Sequence, residues 1–115
     1  MADIQSDDQG GILKIYLRDI RLSEDSLVES VSTQLNTLLN QSESKKLIVN
    51  LRDVSFMNSS MIGKLVQLNK RCRQESIDLR FCELNDNITE VFHLMQLPKI
   101  MQLHDTEQAA FDAFN

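Results

Sequence analysis

Residues Leu47-Ile48-Val49-Asn50-Leu51 form a dense apolar run that does not alternate, and this run limits the possible folds more than any other stretch. A strand that is apolar on both faces has to be covered above and below, as a central strand of a parallel sheet is. Asn50 is its polar member, near the strand's carboxyl end, the edge of an open α/β sheet where functional loops gather. Phe56-Met57-Asn58-Ser59-Ser60-Met61-Ile62-Gly63 then leads through a short loop into a helical pattern ending near Gln74. The two serines therefore fall at a helix N-terminus. The first N–H groups of a helix are unpaired and its dipole is positive there, so the place suits an anion. It suits a capping hydroxyl equally well.

The rest of the chain supplies partners for that strand. Ile12 to Leu17 reads as a strand, and Gly10-Gly11 predicts a hairpin turn back to a strand near Asp3 to Asp7. Ser23-Glu24-Asp25 opens a helix whose Leu27, Val28, Val31, Leu35, Leu38 and Leu39 share one face, and Asn40 to Ser44 ends it. Ile77, Leu79 and Phe81 alternate with Asp78, Arg80 and Cys82 as a further strand. Asn85-Asp86-Asn87 caps a short helix carrying Ile88, Val91, Phe92 and Met95, and Pro98 takes the chain out of it. Ile100 to Leu103 reads as a last strand. Asp105, with Gln108 at capping-box spacing, opens a final helix with Ala109, Ala110, Ala113 and Phe114 on its apolar face. The order β-β-α-β-α-β-α-β-α predicts an α/β fold, one domain over residues 1–115 with a mainly parallel sheet of four or five strands and about four helices.

Projected at about 100° per residue, the helix after the serines places Met61, Ile62, Leu65, Val66, Leu68 and Cys72 in one inward arc, with Asn69 among them. Gly63, Lys64, Gln67, Lys70 and Arg71 lie opposite, and Ser59 projects close to Gly63 and Lys70. The serine and that face form one surface. Lys70, Arg71 and Arg73 also complement the negative end of the dipole.

A net charge of −5 argues against a general nucleic-acid binder, and 5% aromatic content with no Trp removes the stacking platforms such a protein needs. No apolar run approaches the length of a membrane span, and Met1 to Gln5 is too polar for a signal peptide, so a cytoplasmic location is expected. Cys72 and Cys82 lack disulfide-framework or metal-site spacing and read as reduced structural thiols. His93 and His104 have no metal-type partner, Asp53 and Asp7-Asp8 form no catalytic pair, and no Gly-rich phosphate loop is present. These features predict no enzyme, metal or cofactor. Of the methionines, Met95 and Met101 read as core, whereas Met57 and Met61 bracket the serines, where partial exposure is expected.

Residues Leu47 to Gly63 resemble the signature of STAS domains, the anti-sigma factor antagonists, which reads roughly I-V-x-D-L-x-x-V-x-F-[MI]-D-S-S-G-L-G. The similarity extends to Leu79-Arg80-Phe81-Cys82, Val91-Phe92, Leu97-Pro98-Lys99-Ile100 and Ala109-Ala110. The resemblance implies a switch. In the family the first serine is phosphorylated by an anti-sigma factor that is also a serine kinase; the unmodified form binds that kinase and frees a sigma factor, and a phosphatase resets the system. Ser59 matches the phosphorylated residue, with Ser60 second to it, and the partner-binding surface would comprise Asn58, Ser59, Ser60, Gly63, Lys64, Gln67 and Lys70. Three positions depart from the signature: Asn50 and Asn58 stand for Asp, and Met61 for Gly. The family also includes adaptors that are not phosphorylated, such as stressosome scaffold subunits and the small partner of the ATPase in phospholipid-transport ABC systems. The retained Ser59-Ser60 pair favours the switch; Asn50, Asn58 and Met61 favour an adaptor.

Overall fold

The computed structural model describes residues 3–18, 20–22 and 24–114. Strands β1 (Asp3–Gln9) and β2 (Ile12–Arg18) are followed by a short β3 (Ile20–Leu22) and helix α1 (Asp25–Gln41). Then come β4 (Lys46–Asn50), β5 (Val54–Met57), α2 (Ser59–Gln74), β6 (Asp78–Cys82) and α3 (Asp86–Leu94). A 3-10 turn at Leu97–Lys99 leads to β7 (Gln102–His104) and α4 (Glu107–Asp112). The expected elements appear in the expected order. The additions are β3 and β5, which pair with each other as a separate two-stranded parallel sheet.

The main sheet has the order β1-β2-β4-β6-β7. Only β1 is antiparallel, joined to β2 by Gly10-Gly11, both at positive φ (62° and 80°) as a two-residue hairpin of the favoured twist requires. The apolar run is central, between β2 and β6 in parallel register. Ile15, Val49 and Phe81 lie side by side across the three strands and are each 0% exposed. Removing such side chains from water stabilises the fold by roughly 1.5–3 kcal/mol apiece. Leu47 and Val49 point into the large cluster formed with α1, α2 and α3, while Ile48 turns the other way, to Cys82 and Ala110 of α4. The run does not alternate because helices cover both faces.

Several local expectations need correction. The last strand begins at Gln102; Ile100 is exposed and only Met101 of the preceding pair is buried. The cap of α4 is Thr106, whose Oγ1 accepts from Ala109 N at 3.0 Å, so the Asp105–Gln108 spacing is displaced by one residue from the bond that forms. On α3, Ile88 and Phe92 face the core, but Val91 and Met95 are 41% and 49% exposed. Met57 and Met61 are both buried, not partly exposed, Met61 as the helical projection places it. The expected helix start at Ser23 lies outside the described residues, and α1 begins after Glu24 without a side-chain cap. No helix among the described residues is long and apolar enough to cross a membrane.

Candidate functional site

The serine pair opens α2. Asn58 is its N-cap, with Oδ1 accepting from Met61 N at 2.9 Å, while the Asn58 N–H donates to Leu22 O of β3 at 2.7 Å. The short β3–β5 sheet therefore holds the start of the helix. Ser59 and Ser60 occupy its first two positions, both exposed, and neither hydroxyl is engaged in a hydrogen bond among the described residues. Capping falls to Asn58. Met61 and Ile62 turn inward (0% and 3% exposed), so the methionine that replaces the signature glycine does not reach the surface.

Along α2 the candidate surface residues separate into two groups. Ser59, Ser60, Gly63, Gln67 and Lys70 are exposed. Lys64 instead leans toward α1, where Nζ pairs with Glu29 Oε1 at 3.1 Å. Arg71, expected on the solvated face, lies in the same seam: its guanidinium donates to Asn36 at 2.7 Å and also to Asn40, and its Nε pairs with Glu75. The i, i+4 spacing of Asn36 and Asn40 was the available sign that one α1 face could receive a guanidinium. A Cβ at Gly63 would meet nothing within 4 Å, so packing within the chain does not require glycine there. Phe56, 38% exposed on β5 two residues before the cap, adds apolar surface that sequence reasoning did not single out.

Asn50 lies on the opposite side of the sheet, and both ends of its amide are engaged. Oδ1 accepts from Arg52 N at 2.9 Å and Nδ2 donates to Glu107 Oε1 at 3.1 Å. Around it Tyr16, Arg18, Arg52, Asp53, Glu83 and Glu107 line a polar cavity of about 480 Å³ at the carboxyl ends of the parallel strands. Burial, and then the hydrogen bond to Glu107, push the Tyr16 phenol up to about 12. Glu83, at a positive φ of 62°, accepts from the Glu107 N–H at 2.8 Å and so fixes the start of α4. Asp53 pairs with Arg18 at 2.6 Å. Apart from Arg52, which takes part through its backbone N–H, these groups hold one another by their side chains.

The two histidines, eleven residues apart in sequence, line one depression of about 690 Å³ beyond the sheet edge, with Arg80, Thr89 and Asp105. His104 Nε2 lies 3.1 Å from Arg80 Nη1. A guanidinium can only donate, so this imidazole nitrogen accepts. Burial and then the Arg80 charge hold the His104 pKa below its usual value. No group of His, Cys, Asp and Glu among the described residues is arranged to hold a metal ion.

Comparison with known proteins bears on this geometry. A curated relative, the anti-sigma F factor antagonist of Paenibacillus polymyxa, is 23% identical over 79 residues, 69% of this chain and 68% of its own length. An anti-sigma-factor antagonist (STAS) domain protein of Planctomyces limnophilus superposes with a TM-score of 0.84 at 21% identity, covering 100% of this chain and 99% of that one. The structure of the anti-sigma factor antagonist SpoIIAA in its unphosphorylated form gives a TM-score of 0.76 at 20% identity, over 97% and 96% of the two chains. The STAS domain model matches residues 19–110, from β3 through most of α4, including the serine pair at the start of α2. On that match, the chain belongs to the STAS domain family.

Proposed function

We propose that this protein is an anti-sigma factor antagonist that works by partner switching, with Ser59 as its phosphorylated residue. The observation that carries the reading is the division of labour at the start of α2: Asn58 caps the helix, and the exposed Ser59 hydroxyl makes no hydrogen bond among the described residues. The role of the Paenibacillus relative supports it. The partner is an anti-sigma factor with serine kinase activity, and a phosphatase restores the serine. The chain itself docks and is modified; it catalyses nothing and needs no cofactor.

The physical consequence of modification follows from position. A phosphate brings about −1.5 to −2 charges at pH 7. At the first position of α2 it meets the positive end of the dipole and the N–H groups of Ser59 and Ser60, so the fold tolerates it. A partner surface shaped for Ser59, Ser60, Gly63, Gln67 and Lys70 does not. The fold persists and the contact is lost.

A second reading, an adaptor that is never phosphorylated, is favoured by the neutral Asn58 at the position where the signature has Asp. Affinity capture from the source cell's lysate, with wild-type and Ser59→Asp baits, separates the two. A serine kinase held by wild type and lost by Ser59→Asp supports the switch. An ABC ATPase or scaffold protein held equally by both would replace it with the adaptor.

A further inference from the structure

Ile100 is a β-branched aliphatic residue held out toward solvent. Its N–H donates to Leu97 O at 2.9 Å, and its carbonyl accepts from the side-chain amide of Asn69, a buried residue of α2, also at 2.9 Å. Both backbone groups are thus fixed, yet the residue is 46% exposed. Two depressions flank it and share Asn69, Arg73 and Ile100: one of about 570 Å³ with Val66, Lys70 and Gln74, the other of about 300 Å³ with Pro98, Lys99 and Met101. Neither is lined by a carboxylate. Among the described residues Lys70 and Arg73 form no ion pair, and Lys99 bonds only to the neutral Gln96 side chain. A chain of net charge −5 thus keeps three cations without counterions among the described residues around one rigid apolar knob.

We infer that this groove docks an acidic segment of a protein partner, with aliphatic side chains seated against Val66 and Ile100 and carboxylates facing Lys70, Arg73 and Lys99. Charge complementarity selects the occupant. A fixed anchor ringed by contacts that exclude water can carry much of an interface's binding energy, and complementary charge around it adds specificity and speeds association. Because Asn69 already holds Ile100 in place, little ordering opposes association. The groove runs beside the C-terminal half of α2, so it extends the partner surface that begins at Ser59. The inference rests on the proposed docking role, and it does not require Ser59 to be modified.

The test uses the full, ¹⁵N-labelled chain and a synthetic peptide of two leucines spaced i, i+4 among glutamates. Its controls carry lysine for every glutamate, or serine for both leucines. Amide shifts confined to Val66, Asn69, Lys70, Arg73 and Ile100 are expected with the acidic leucine peptide alone. Affinity should fall about tenfold in Lys70→Glu/Arg73→Glu, fall similarly in Ile100→Ser, and be unchanged in Lys45→Glu. Thermal melts establish that each variant is folded. No shifts at millimolar peptide, equal binding of the serine control, or shifts centred elsewhere would overturn the inference. Ser59→Asp should bind the peptide at wild-type strength. Loss there would place the contact at the helix start and refute the groove, whereas the lysate capture tests the switch separately.

Discussion

The side-chain amide of Asn50 donates to Glu107, joining the end of the central strand to the first turn of α4 at 3.1 Å. The signature has Asp here, and this contact uses a donor that Asp lacks. A carboxylate at residue 50, in a position only 8% exposed, would face another carboxylate. Asn50→Asp is therefore expected to lower stability by about 1–3 kcal/mol, the usual cost of leaving a buried polar group badly matched. Glu107→Gln, which restores a donor, should recover part of it. Urea midpoints for the single and double variants decide the matter; two variants of equal stability would show that the pair is not coupled.

At the start of α2 the structure assigns capping and exposure to different residues. Asn58→Ala should cost about 0.5–2 kcal/mol. Ser59→Ala and Ser60→Ala should each stay within about 0.5 kcal/mol of wild type, as surface substitutions do. Thermal melts rank the three. If Ser59→Ala were the costly one, its hydroxyl would be structural and the proposed switch would lose its basis.

Gly63 sits inside a helix with open space where a side chain would go. Gly63→Ala is expected to stabilise the chain by about 0.5–1 kcal/mol, because alanine loses less backbone freedom than glycine on entering a helix. If a partner backbone approaches this face, the same substitution should weaken capture of that partner. Higher stability together with undiminished capture would remove Gly63 from the docking surface.

How much of this was legible depended on whether a local rule met a local cause. The run at Leu47 and the alternation at Ile77, Leu79 and Phe81 placed the central strands, because burial on one or two faces sets the pattern directly. The inward arc of α2 followed from projection alone: Met61, Ile62, Leu65, Leu68 and Cys72 are all at most 4% exposed. Strands β3 and β5 escaped notice because three and four residues are too few for a period to show. Lys64 and Arg71 escaped for another reason. Their projection toward solvent was sound, but α1 comes to lie beside them, and only the fold supplies Glu29, Asn36 and Asn40. Likewise Met95 fits the apolar spacing of α3, but the helix ends at Leu94 and the chain turns through a left-handed Gln96, so Met95 stays outside.

The Arg80–His104 contact predicts a pH dependence with a definite sign. Burial, and then the positive Arg80, disfavour the imidazolium, while Asp78 and Asp105 partly offset them. The native state therefore binds this proton more weakly than the unfolded chain does. The contribution is complete above the unfolded value near 6.5 and is lost as pH falls through the lower folded value. Chemical denaturation at pH 7.5 and at pH 5 should show a smaller acid loss in His104→Gln, which keeps an acceptor but cannot titrate. Identical losses in the two proteins would show that His104 does not carry the effect.

The two cysteines report on the two faces of the sheet separately. Both are 0% exposed, and burial pushes the Cys72 thiol up to about 11 and that of Cys82 up to about 12. The thiolate is the reactive form, so iodoacetamide at pH 8 should modify neither residue in the closed protein, and no reductant-sensitive dimer should form. Labelling then has to follow opening. Cys72 is buried in the large cluster on the α1–α2 side, whereas Cys82 is covered with Ile48 by Ala110 of the six-residue α4 and by Phe114 just beyond that helix. So small an apolar layer should detach before the main core opens. Mass spectrometry of a labelling time course is expected to find Cys82 modified first, although its thiol is the more strongly suppressed of the two. Equal rates would mean that α4 leaves the sheet only in global unfolding, and faster labelling of Cys72 would place the weaker layer on the α1–α2 side.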